Sequence, residues 1–125
     1  MIPKCRVYDS GSVSRMYQPD EVMVGDGNIW IIDEDSDENE WIVNNDLNIM
    51  QSTGLVDKNG KEIFEGDIVK MARDVYSEPT YYEIVRHRGG AYRLESKQHG
   101  CELWIRHADC VVIGNIYENK ELLDA

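Results

Sequence analysis

The sequence predicts a mainly β protein, an antiparallel sheet curled into a small barrel. Three observations predict it. Ten glycines outnumber three prolines and fall between short β-branched or aromatic runs. Asn59-Gly60 and Gly89-Gly90 are hairpin signals, since both central residues of such turns take positive φ. Helical periodicity is scarce, and only Glu118–Ala125 reads as a short helix, with Asn119 as N-cap and Leu122-Leu123 docking on the body.

Taken in chain order, Ile29–Ile32 and Trp41–Val43 are the first strand material. Between them six of the eight residues Asp33–Glu40 are acidic, a block that repels itself and reads as an exposed loop. The block opens like a calcium loop, D-x-D-x-D. Glu38 then stands where that loop needs Gly, and Asn44 where it needs Glu, so a solvated loop is the better reading.

Two turns follow. In Asp57-Lys58-Asn59-Gly60 the Asp accepts local backbone hydrogen bonds and Gly60 takes the left-handed position. Glu65-Gly66-Asp67 launches the strand Asp67–Met71, and Ile63 and Phe64 anchor the segment between the turns. Asp57, Glu62, Glu65 and Asp67 could be read as a carboxylate cluster, but Asp and Gly at these spacings are what turns require.

The remaining strand candidates are Tyr81–Arg88, Ala91–Glu95, Glu102–Ile105 and Val111–Tyr117. A two-residue Gly89-Gly90 loop pairs His87 with Tyr92, Arg86 with Arg93 and Val85 with Leu94. Alternation then gathers Arg86, Arg88 and Arg93 on the outer face and turns His87, Val85, Tyr92 and Leu94 to the core. Like charges placed opposite each other are costly unless neutralised.

The chain has 125 residues, enough for one domain with one core. A formal charge of -11 argues against a surface that grips nucleic acid or anionic membranes throughout. The imbalance is uneven, with 11 acids and 3 bases in residues 1–50 against 13 and 10 in residues 51–125. Ile29–Ile32 is too short to span a bilayer, and Met1–Arg6 lacks the apolar region of a secretion signal. Cys5, Cys101 and Cys110 are odd in number and irregular in spacing, so reduced thiols are expected.

His99, Cys101, His107 and Cys110 form a ligand set that zinc accepts, but no tight C-x₂₋₄-C clasp seeds a site. No nucleophile elbow or phosphate-cradling loop is present, and Gly89-Gly90 reads as a hairpin. No catalytic residue, cofactor or metal is therefore expected.

The stretch from Thr53 to Val69, TGLVDKNGKEIFEGDIV, resembles the hallmark of the YopX family, small proteins of tailed phages and prophages in Gram-positive bacteria. Ile49–Ser52 before it, Val112–Leu123 at the end and, more loosely, Ile2–Asp9 and Met16 extend the resemblance across nearly the whole chain. Val56 departs from a usual lysine and Lys120 from a usual proline, at positions that touch packing and a turn. The resemblance implies a single domain over 1–125, with an N-terminal β-containing portion (1–48) and a β pseudo-barrel (49–125). It also implies homo-oligomers, and it carries no biochemical activity with it.

The leading functional expectation is thus a non-enzymatic phage accessory protein in the host bacterial cytoplasm, self-associating and working by binding an unidentified host or phage protein. Trp30, Trp41 and Trp104 are the expected interface anchors. One alternative is a local nucleic-acid contact by Arg86, Arg88, Arg93 and Arg106, with Tyr81, Tyr82 and Tyr92 for stacking. Another is a DNA mimic, in which the acidic half presents carboxylates in place of phosphates to a host protein.

Overall fold

The computed structural model describes residues 4–11, 14–32, 40–72, 76–87, 90–97 and 100–124. The chain is mainly β, every described strand register is antiparallel, and two compact units divide at Ser52 and Thr53.

Unit one contains β1 (Cys5–Asp9), β2 (Arg15–Tyr17), β3 (Val22–Gly25), β4 (Asn28–Ile32), β5 (Trp41–Val43) and the first part of β6 (Asn48–Val56). β1 lies between β2 and β6, while β3, β4 and β5 form a three-stranded meander. Val22, Ile29 and Ile31 alternate inward and pack with Val7, Tyr17 and Leu47. Asp26 (φ 52) and Gly27 (φ 77) close β3 onto β4 as a two-residue turn with positive φ at both positions.

Unit two contains the rest of β6, β7 (Glu62–Phe64), β8 (Asp67–Met71), β9 (Thr80–Arg86), β10 (Tyr92–Glu95), β11 (Gly100–Glu102) and β12 (Val111–Asn115). β7 pairs with β6, and the other five strands run β11-β10-β9-β8-β12 in a curled half-barrel. Val69, Met71, Tyr82, Ile84 and Leu94 line its inner face, closed by Ile63, Leu103, Cys110 and Val112. All nine are at most 9% exposed, so unit two has a dry apolar core of its own.

Two expectations change, and the short C-terminal helix is borne out. Glu102–Ile105 is not a strand: β11 stops at Glu102 and one helical turn, α1 (Leu103–Arg106), drops Leu103 into the core. β12 stops at Asn115, whose Oδ1 accepts the N–H groups of Tyr117 (3.0 Å) and Glu118 (2.9 Å) and turns the chain. The expected short C-terminal helix is present, as a 3₁₀ helix over Lys120–Asp124 begun by the Leu122 N–H bond to the Asn119 carbonyl.

The β9–β10 register also differs, by one residue. Tyr92 stands opposite Arg86, Arg93 opposite Val85 and Leu94 opposite Ile84. His87 N–H donates to the Ala91 carbonyl and Gly90 N–H to the His87 carbonyl, with Gly90 at φ 89. The loop therefore has three residues and ends on a left-handed glycine, where the sequence suggested two. One slipped residue exchanges the faces of one strand relative to the other.

Candidate interaction surfaces

That slip dissolves the expected arginine face. Arg86 now lies at the end of the row containing Tyr82 and Ile84, and Arg93 is on the opposite face. Arg93 donates to Glu95 Oε1 (3.1 Å) on its own strand and to Glu102 opposite on β11. The Glu95 hydrogen bond, and then Glu102, hold the guanidinium above its ordinary pKa despite some desolvation. His87 Nε2 is also 3.2 Å from Glu95. Arg106 turns elsewhere, bonding Asp109 (2.9 Å) and the Ala72 carbonyl (2.9 Å). Tyr82 is buried in the core and cannot stack on a base. Arg88 and Gly89 lie outside the described residues, as do His99 and residues 33–39 of the acidic block.

The turn carboxylates are occupied by backbone. Asp57 Oδ1 accepts the N–H groups of Asn59 and Lys61, both at 2.9 Å, and Oδ2 accepts that of Val112 at 2.9 Å. It thereby ties the β6–β7 hairpin to β12. Burial alone would raise its pKa; the three N–H donors and the Lys61 charge outweigh burial and hold it low. Asp67, fully buried, accepts the Phe64 N–H at 2.7 Å across the Glu65-Gly66 turn.

Cys110 and His107 are likewise committed. Cys110 is buried, with its Sγ 3.3 Å from the Arg106 carbonyl. Burial first, then Cys101 and Asp109, push its thiol up to about 12. Burial also raises Cys101. The ring of His107 meets the Val56 carbonyl through Nδ1 at 2.7 Å. Among the described residues, no three His, Cys, Asp or Glu side chains gather as a metal would require.

Tryptophans stand in both units. In unit one, cross-strand register puts Met23, Trp30 and Val43 in one row of the meander's outer face, with Ile32 and Trp41 in the next. Met23 is 50% exposed. Met23, Ile32 and Val43 were not anticipated as surface residues. Their signal is the unbroken run Ile29–Ile32, apolar on both faces of one strand. A cleft of about 490 Å³ opens beside β3, lined by Lys4, Cys5, Met23, Asp26 and Trp30 among others. In unit two, Trp104 (66% exposed) and Ile105 (59%) project side by side from α1. A single helical turn that buries Leu103 must turn its next two side chains away from the core.

The family profile described as YopX protein matches residues 6–124. The crystal structure of protein EF1440 from Enterococcus faecalis is similar with a TM-score of 0.63 and 31% identity, covering 98% of this chain and 99% of that one. The crystal structure of YopX from Bacillus subtilis is similar with a TM-score of 0.69 and 20% identity, again over 98% and 99%. No curated protein matches the chain.

Proposed function

Because the chain belongs to the YopX family, we propose that it is a phage or prophage accessory protein that works by binding rather than catalysis, self-associating through unit two in the bacterial host cytoplasm. The observation that carries this reading is the exposed Trp104–Ile105 pair on α1. Tryptophan leads among residues that anchor interface centres, and a short turn displays two large apolar groups without disturbing the core. Charge supports the same surface. Residues 53–125 hold 13 acids against 10 bases, so two copies of unit two meet with little net repulsion. The thiols favour binding over catalysis, since raised pKa values keep Cys101 and Cys110 protonated and poorly nucleophilic.

Light scattering of the wild type and of Trp104→Ala tests the proposal. The wild type is an oligomer and the variant a smaller species with an unchanged circular dichroism spectrum. A wild-type monomer at micromolar concentration, or a variant oligomer of unchanged size, would sink it.

A further inference from the structure

Unit one carries a second surface of different character. β5 closes the β3-β4-β5 meander with no further strand beside it among the described residues. Trp41, Ile42 and Val43 are 38%, 41% and 44% exposed. Edge strands are normally blunted by short length, Lys, Pro or a bulge; β5 is short, at three residues, but carries no Lys, Pro or bulge. Which backbone groups face outward follows from the ladder. Asn44 N–H donates to the Ile29 carbonyl (2.9 Å), and bonded and non-bonded pairs alternate along an antiparallel ladder. With Trp30 opposite Val43 and Ile31 opposite Ile42, the main-chain groups of Ile42 face β4. Those of Trp41 and Val43 face the edge that no described strand pairs.

We propose that β5 is a strand-addition site for an extended basic segment of another protein, one that alternates Lys or Arg with apolar residues. The open N–H and C=O groups of Trp41 and Val43 pair with the incoming backbone. Alternate apolar side chains of that segment extend the row of Met23, Trp30 and Val43. Charge selects the occupant. Residues 1–52 hold 11 acids against 3 bases. Of those bases Arg6 is buried and Arg15 is held by Glu21 at 2.6 Å, whereas Glu40 and Asp46, flanking β5 in the chain, are exposed. A second copy of unit one is repelled, and a cationic strand is attracted.

The test uses the full chain and a short fluorescein-labelled peptide alternating Lys and Val, followed by anisotropy. Its Glu–Val counterpart binds at least about tenfold more weakly, and added salt weakens the Lys–Val complex. Val43→Pro removes an outward N–H that the β4 ladder does not use, so the sheet stays intact and affinity falls about tenfold or more. The same Lys–Val peptide N-methylated at alternate residues keeps its charge and side chains but loses the ladder, and it binds as weakly. Equal binding of the N-methylated peptide would reduce the site to unspecific charge attraction and overturn the proposal, whatever the fold of Val43→Pro. A dimer that Val43→Pro dissolves would overturn it too, by making a second copy the occupant. Trp104→Ala keeps peptide affinity, so failure here and failure of the self-association reading are distinguishable.

Discussion

Asp57 shows how a turn residue becomes a tertiary fastener. Its carboxylate holds two N–H groups of its own hairpin and one of β12, so Asp57→Asn leaves one oxygen where two were used and turns an amide NH₂ toward backbone donors. The expected cost is about 1–3 kcal/mol at neutral pH, read from denaturant melts. The sign with pH follows from the depressed pKa. The wild-type contribution is complete above the ordinary Asp value of 3.8 and is lost as pH falls from there through the lower folded value. The stability gap between wild type and Asp57→Asn therefore narrows on acidification; a gap that is constant with pH would remove the ionic account. Gly66, at φ 87, is held by hydrogen bonds on both sides, its N–H to Ile84 and its carbonyl to Ile116. Gly66→Val is expected to cost more than about 1 kcal/mol because a β-branched residue resists that conformation. Gly25→Ala, with nothing within 4 Å of the new Cβ, should leave the midpoint where it was.

Among the elements, α1 divides its labour residue by residue. Leu103 is fully buried in the unit-two core, and Leu103→Ala should destabilise by about 2–5 kcal/mol through the cavity it leaves. Trp104 touches mostly solvent within its own subunit, and its truncation should move the stability of the isolated subunit by no more than about 0.5 kcal/mol while changing assembly. Thermal melts beside light scattering separate the two effects. The β9–β10 hairpin makes the complementary point. Its register is fixed by Ile84 and Leu94 both entering the core, and a three-residue loop is what satisfies that requirement. Cross-strand NOEs linking Tyr92 to Arg86, and Arg93 to Val85, report this register; an Arg86 to Arg93 pairing would restore the arginine face.

For the whole molecule, charge and apolar surface are apportioned differently between the units. Residues 1–52 carry most of the net charge of -11, and residues 53–125 carry the exposed Trp104–Ile105 pair. The arginine face would have made self-association weaken with salt by losing its grip on a neighbour's acidic block. With Arg93 clamped by Glu95 and Glu102, that basis is gone. Like-charged copies should instead associate slightly more tightly as salt rises, while the basic peptide on β5 is released. Sedimentation across a salt series, run beside the anisotropy assay, reads both slopes. Slopes of the same sign would show that one electrostatic mechanism governs both.

The β class and the turns at Asp57–Gly60 and Glu65–Asp67 are legible along the chain because they rest on local chemistry, and the YopX membership because it rests on a long run of matching residues. Asp bonding its own backbone and Gly at positive φ need no distant partner. Asp26-Gly27, a hairpin with two left-handed residues, is legible in the same way. Loop length at Gly89-Gly90 was not legible, since a two-residue and a three-residue loop share the same glycines. Only the demand that Ile84 and Leu94 share the core chose between them. The helical turn at Leu103 was hidden for a similar reason: the short apolar run Leu103-Trp104-Ile105 reads as strand material, and the core position of Leu103 overrides that reading. The candidate surfaces divide along the same line. That tryptophans would anchor contacts could be read from residue type. Which of them stand exposed, and that β5 leaves Trp41 and Val43 main-chain groups on an edge no described strand pairs, was decided by strand order and register, which no local run of residues encodes.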